Sequence, residues 1–97
     1  MSSFVRLFIV QARDAQAQYF LERDLCEAKD YLPTESGCLH SQVWSLDDGL
    51  AVALLTSWDS HEAATQFHFS GLNTLLTAVT QRHIAGSPTL RVFRIIC

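Results

Sequence analysis

Residues 37 to 64 read GCLHSQVWSLDDGLAVALLTSWDSHEAA, and this stretch decides the fold. Two apolar runs flank Asp47-Asp48-Gly49. An Asp-Gly pair in that setting signals a hairpin, because glycine accepts the positive φ that a matching turn demands. The second run, Leu50 to Trp58, is apolar on both faces, with Leu50, Val52 and Leu54 on one and Ala51, Ala53 and Leu55 on the other. Such a strand belongs in the middle of a sheet with both sides covered. In the first run, Cys38 to Leu46, Leu39, Ser41, Val43 and Ser45 share one parity, and Cys38, His40, Gln42, Trp44 and Leu46 share the other. A half-polar strand of this kind suits a sheet edge. After Trp58, Asp59 or Ser60 caps a helix, and Glu62, three residues past Asp59, closes a capping box.

Towards the N-terminus, Phe4 to Ala12 is a second strand that is apolar on both sides. Val5, Leu7 and Ile9 face one way; Phe4, Phe8 and Val10 face the other, with Arg6 among them. Asp14 caps a helix running to about Tyr31, whose stripe is Ala17, Phe20, Leu21, Leu25, Ala28 and Leu32. Pro33 ends it, since the residue before a proline is pushed out of the helical region. Towards the C-terminus, Asp59 to Phe69 is helical, Ser70-Gly71 breaks the helix, and Leu72, Leu75, Leu76 and Val79 form a stripe up to about His83. Ala85-Gly86-Ser87-Pro88 is a loop, and Thr89 to Cys97 is the last strand.

The order β-α-β-β-α-β repeats one β-α-β unit twice. It predicts an α+β fold: a ferredoxin-like βαββαβ sandwich with a four-stranded antiparallel sheet, helices on one face, and the first and third strands central. Two helices cover one sheet face only. The other face carries large apolar side chains, and a patch of that size is not left in water by a monomer. The expected partner is a second copy of the chain, in a homodimer closed through the open sheet face.

The 97 residues suit one domain spanning 1–97, and the formal charge of −3 offers no electrostatic footprint for nucleic acid. No run is long enough to span a bilayer. The start, MSSFVRLFIVQARDA, lacks a basic region and a small-residue cleavage site, so it reads as a strand and not a signal peptide. Cys26, Cys38 and Cys97 are odd in number and show no paired spacing. That argues for free thiols used in packing and for a reducing, cytoplasmic setting. No CxxC or HxxxH pattern suggests a metal.

Glu35-Ser36-Gly37-Cys38 entering the second strand, then the hairpin, then Leu55-Thr56-Ser57-Trp58-Asp59-Ser60-His61-Glu62-Ala63, resemble the antibiotic-biosynthesis-monooxygenase family of dimeric α+β barrels. Members include oxygenases acting on quinols or aromatic polyketides with no metal or flavin. The resemblance implies a dry pocket between sheet and helices that binds an electron-rich phenol, favours its anion, and lets that anion reduce O₂ without a cofactor. Trp58 matches the family's junction Trp. The Asn that some oxygenase members place four residues earlier is Leu54 here. Histidines that many members carry further on fall at Phe67 and Leu72, with His68 beside the first. The Asn, Trp and His of the haem-degrading relatives fall at Val10, Phe67 and Thr77, which sets that activity aside.

Six residues are candidates for a site. Trp58 is a stacking wall for an aromatic substrate or packs helix onto sheet. Phe67 and Trp44 are further aromatic contacts for such a ligand, and Trp44 equally suits packing at an edge or interface. His68, between Phe67 and Phe69, is a proton acceptor in an aromatic cavity or a solvent-facing helix residue. His40 shares its strand face with Gln42 and is a second candidate base. Arg6, on a central strand, is costly to bury unless paired. It holds a phenolate or carboxylate, pairs with an acid, or reaches the dimer edge. His61 and His83 are expected in solvent, and Arg91 and Arg94 at the sheet edge. Three functions fit: a cofactor-independent monooxygenase of a small aromatic or quinol substrate; a cyclase, isomerase or dehydratase using His40 or His68 as base; or a non-catalytic dimeric binding protein.

Overall fold

The computed structural model describes residues 3–68 and 70–97, with the side chains of Pro33 and Leu72 left aside. Phe69, and the place of Leu72 on its helix stripe, therefore lie outside the described residues. The elements are β1 (Phe4–Gln11), α1 (Ala15–Lys29), β2 (Cys38–Ser45), β3 (Ala51–Trp58), α2 (His61–His68), α3 (Gly71–Gln81) and β4 (Thr89–Arg94). The antiparallel sheet runs β2-β3-β1-β4. The two strands with apolar side chains on both faces are thus the central ones, as a ferredoxin-like α+β fold requires.

Register assigns the faces. Arg6 stands opposite Thr56, Phe8 opposite Leu54 and Val10 opposite Val52, so these six share one side of the sheet. The helices cover that side. Leu21 and Leu25 of α1, Ala64 and Phe67 of α2, and Leu76 of α3 join Phe8, Val10, Val52, Leu54 and Trp58 in one core. Each large side chain sealed there contributes on the order of 1.5–3 kcal/mol relative to exposure. Leu32, fully buried, fills the same core from a 3-10 turn over Leu32–Thr34.

Asp14 caps α1 as its sequence position predicts, its carboxylate accepting from the Ala17 amide at 2.7 Å. The helix ends at Lys29, two residues short of Tyr31, before the 3-10 turn takes over. Ser70 separates α2 from α3 and caps α3 through the Asn73 amide at 3.1 Å.

Four local expectations are corrected. Gly49 does not have a positive φ; among the described residues only Gly37 and Gly86 do. The Leu46 amide donates to the Ala51 carbonyl at 2.9 Å, closing a longer loop. Glycine at 49 answers to space instead, since a Cβ there would meet Leu46 Cδ2 at 2.6 Å. The α2 cap is Ser60, whose hydroxyl accepts from Ala63 N at 3.0 Å. Counting from Ser60, Glu62 falls one residue short of the capping-box position, and its carboxylate accepts from Gln66 instead. A bulge between Cys38 and His40 turns Cys38 to the helix side opposite Trp58, where it packs on the core, and leaves Leu39 exposed. The last strand stops at Arg94, so Ile95 to Cys97 lie beyond it.

Among the described residues no helix lies over the opposite face of the sheet. Val5, Leu7, Ile9, Ala53 and Leu55 run along its middle, with Trp44 and Phe93, 48% and 53% exposed, on the flanking strands. Among the described residues no helix is long and apolar enough to cross a membrane.

Candidate functional site

The helix-facing end of the sheet, where β1 begins and β3 ends, gathers Arg6 and Thr56 with the rings of Trp58 and Phe67. Arg6 is only 3% exposed. Its Nη2 donates to Asn73 Oδ1 at 3.1 Å, and its guanidinium carbon lies 5.0 Å from the centre of the Phe67 ring. The Phe67 ring in turn lies 5.0 Å from Trp58, tilted by 36°. Trp58 Nε1 donates to the Thr56 hydroxyl at 2.9 Å, and that hydroxyl reaches the Arg6 carbonyl at 3.4 Å. Strand periodicity explains the grouping. Arg6, Thr56 and Trp58 all have the parity that points towards the helices, and the end of α2 and start of α3 lie above them.

Among the described residues no carboxylate lies within 4.0 Å of Arg6. Burial lowers its pKa from the ordinary arginine value to about 10, so it carries its charge at neutral pH. The site is therefore a buried cation with an amide partner and an aromatic face, next to an indole. Chemically it can hold an anion against a stack of rings.

Asn73 is the hinge of the cluster. Its Oδ1 accepts from Arg6, its Nδ2 donates to the His68 carbonyl at 2.9 Å, and its own amide is capped by Ser70. The carbonyl and the guanidinium leave one amide orientation that satisfies both.

The six candidates separate into two groups. Arg6, Trp58 and Phe67 are together, Trp58 being 1% and Phe67 3% exposed. His68 ends α2, exposed, and supplies its main-chain carbonyl to Asn73. His40 and Trp44 lie on the opposite face of the sheet, away from Arg6. Trp44 donates to Gln42 Oε1 at 3.0 Å and, with Leu7, Ile9 and Ala53, lines an apolar cleft of about 230 Å³. His40 lines a cleft of about 310 Å³ at the bulge, with Lys29, Cys38 and Ser41. There burial pushes the Cys38 thiol pKa up. A third cleft, about 210 Å³, separates α1 from α3 between Tyr31, Leu75 and Val79. None of these three clefts is lined by Arg6, Trp58 or Phe67.

Two expectations about surface residues change. His83 is half-buried, stacked on Phe20 at 5.6 Å and 4.0 Å from Asp24. Cys26 and Cys97 are exposed and are not packing elements. No group of three His, Cys, Asp or Glu side chains among the described residues is placed to hold a metal ion.

The sequence profile of antibiotic biosynthesis monooxygenases matches residues 3–72, from the first strand through the Trp58 junction and into α3. The chain belongs to the antibiotic biosynthesis monooxygenase family. No curated protein matches it in sequence. Solved structures share the family's architecture. Rv0793 from Mycobacterium tuberculosis superposes with a TM-score of 0.83 at 16% identity, covering 98% of this chain and 96% of that one. A monooxygenase from the gene ActVA-Orf6 of Streptomyces coelicolor, in complex with nanaomycin D, gives 0.82 at 18%, covering 98% and 88%. A dimeric protein of unknown function and ferredoxin-like fold from Bacteroides fragilis gives 0.80 at 10%, covering 96% of each chain. At these identities the likeness establishes the fold.

Within this family fold, Thr56 and Asn73 are site residues that sequence reasoning missed. Thr56 has a legible signal: it is a hydroxyl at the buried parity of an otherwise apolar strand, two residues from Trp58. Asn73 shows only a capping relation to Ser70, which says nothing of Arg6.

Proposed function

We propose that the chain is a homodimeric monooxygenase that oxidises a small aromatic or quinol substrate without a cofactor. Arg6 holds the substrate as its anion beside Phe67 and Trp58. The observation that carries this reading is the buried guanidinium with, among the described residues, no carboxylate within 4.0 Å, the Phe67 ring against it and Trp58 against that ring. A phenolate is far more easily oxidised than its phenol, so a fixed positive charge that favours the anion promotes electron transfer to O₂. In the overall reaction a phenol and O₂ give a quinone and water. A ring C–H bond, the phenol O–H bond and the O–O bond break, one oxygen atom enters the ring, and the other leaves as water with the two protons released from carbon and oxygen. The ring supplies the electrons. His68 is the residue we assign to the proton transfer.

The dimer in this proposal closes the open sheet face. Val5, Leu7, Ile9, Leu55, Trp44 and Phe93 make it apolar, and a symmetric pairing buries it in both copies. The dimeric Bacteroides fragilis protein shares the fold.

A second reading, a dimeric small-molecule-binding protein without turnover, is favoured by the three clefts, none of which is lined by Arg6, Trp58 or Phe67. Oxygen uptake separates the two. The dimer is incubated with a panel of quinols and polyphenols. Uptake matched by quinone formation, and lost in Arg6→Met and His68→Ala proteins that still melt cooperatively, supports the oxygenase. Saturable binding with no uptake on any substrate supports the second reading. Sedimentation as a monomer would remove the dimer.

A further inference from the structure

The inward stripe of α1 and the turn after it runs Leu21, Leu25, Ala28, Leu32. The three leucines are fully buried. Ala28 holds the same kind of position but brings only a methyl group, and it is half-buried. The space a larger side chain would fill is the cleft of about 210 Å³ between α1 and α3. Its floor is closed by Leu76, a member of the core. Its lips are Tyr31 on one wall and Leu75 on the other, both exposed, with Val79 one turn along from Leu75. Among the described residues the lining holds two carboxylates, Asp24 and Glu27, and no cation. Asp24 is engaged by Arg23 at 3.4 Å and has His83 at 4.0 Å. Glu27 has no ion pair among the described residues. The acids precede Tyr31 by one and two helical turns, so the acidic end of the cleft lies roughly 6–10 Å from its aromatic end. The volume is below that of ordinary drug-sized pockets, and it suits one ring with a short chain better than a folded segment of another protein. A dimer closed through the open sheet face leaves this side of the fold outward.

We propose that the cleft between α1 and α3 binds a small hydrophobic organic cation, an aryl ring joined to a primary ammonium by a short chain. The ring lies over Ala28 between Tyr31 and Leu75, and the ammonium lies at Glu27 and Asp24. Two gains drive the binding. The ring covers apolar surface on Tyr31 and Leu75 that otherwise faces water. The ammonium meets an acid that has no cation of its own, and the ring beside it thins the water that would screen the pair. Glu27 sets the preference for charge, because Asp24 is already shared with Arg23. Ala28 sets the size limit, because its methyl group is what leaves the space. The site lies apart from Arg6, Trp58 and Phe67, none of which lines the cleft. Its ligand is a cation, whereas the Arg6 cluster already contains one. The site therefore stands whether or not the chain oxidises an aromatic substrate.

The test uses the full chain, isotope-labelled for NMR, titrated with 2-phenylethylamine and with 2-phenylethanol, which share a ring and a chain length and differ in charge. With the amine, chemical shifts should move at Ala28, Leu76 and Val79 and saturate. The amine should bind about fivefold tighter than the alcohol, the upper range of a partly exposed ion pair. Added salt should narrow that ratio. In Glu27→Gln, a surface change that leaves the melting temperature level, the ratio should fall to within about twofold. In Ala28→Leu the cleft is filled by a good helix former. Amine binding should weaken at least about tenfold while the melting temperature holds or rises. A ratio below about twofold in the parent protein would overturn the proposal. So would an undiminished ratio in Glu27→Gln, or unchanged amine binding in a folded Ala28→Leu protein. Should Ala28→Leu fail to fold, the Glu27→Gln ratio still decides. Amine-induced shifts centred on the Trp58 indole instead of Ala28 would move the ligand to the Arg6 cluster and equally sink the proposal. Oxygen uptake from quinols is a separate measurement, and either result can fail without the other.

Discussion

Gly37 and Ala63 approach so closely that a Cβ added to Gly37 would stand 2.6 Å from the Cβ of Ala63. The same atom would stand 2.7 Å from Asp59 Oδ1, and the Asp59 amide donates to the Gly37 carbonyl at 2.9 Å. The two segments that carry the family resemblance, the Gly37-Cys38 opening and the Trp58 to Ala63 junction, are thus one contact. The strand β2 enters the sheet by passing directly over the start of α2. That passage needs a residue with no side chain and a φ of +85°.

Gly37→Ala meets both penalties at once, a left-handed backbone and a steric overlap with the Ala63 Cβ. It should cost about 1–3 kcal/mol of unfolding free energy. Gly71 is the contrast. Nothing lies within 4 Å of its virtual Cβ and it opens α3, so Gly71→Ala should stabilise by up to about 1 kcal/mol. Urea unfolding of the two variants measures both signs. Equal effects would mean that crowding at Gly37 plays no part.

The helix α2 starts from the Ser60 hydroxyl. Ser60→Ala should lose about 1 kcal/mol, the worth of an N-cap. Glu62→Ala should stay within about 0.5 kcal/mol, as for a surface residue outside a capping box. Thermal melts of the pair decide which residue begins the helix.

The three thiols should react in a fixed order. Burial pushes the Cys38 pKa above the ordinary thiol value, aided by the Glu35 charge and opposed by a hydrogen bond with the His40 backbone. Less thiolate means slower alkylation. With iodoacetamide near neutral pH, mass spectrometry should find Cys26 and Cys97, both exposed, labelled before Cys38. Labelling of Cys38 first would contradict its placement against the core.

Arg6 gives a pH dependence of stated sign. Its folded value, about 10, lies below its ordinary value. Between the two the unfolded chain holds more protons, so stability from this group rises as pH climbs through that interval and is lost as pH falls back to 10. At neutral pH both states are protonated and Arg6 adds no slope. Unfolding free energies of the parent and Arg6→Met should therefore run parallel from about pH 6 to 9, and above about pH 10 the parent should gain on the variant. A divergence near neutrality would mean that another group titrates with Arg6.

The sequence by itself determined the order of elements and the places of the strands, because those depend on patterns among adjacent residues. Alternation on both faces marked Phe4 to Ala12 and Leu50 to Trp58 as central, and a mixed face marked β2 as an edge. Asp14 as a cap and Ser70-Gly71 as a break were legible for the same reason. It also put Arg6, Trp58 and Phe67 forward, as a charge on a central strand and two rings near a strand-to-helix junction. What they touch was decided by tertiary structure alone. The Arg6 to Asn73 bond spans 67 positions, and no periodicity carries information that far. The bulge that turns Cys38 inward and the non-positive φ of Gly49 depend on how β2 must pair with β3, not on the residues in the turn. Spacing along a chain says which way a side chain points. Which group waits there is settled only when the sheet and helices close on one another.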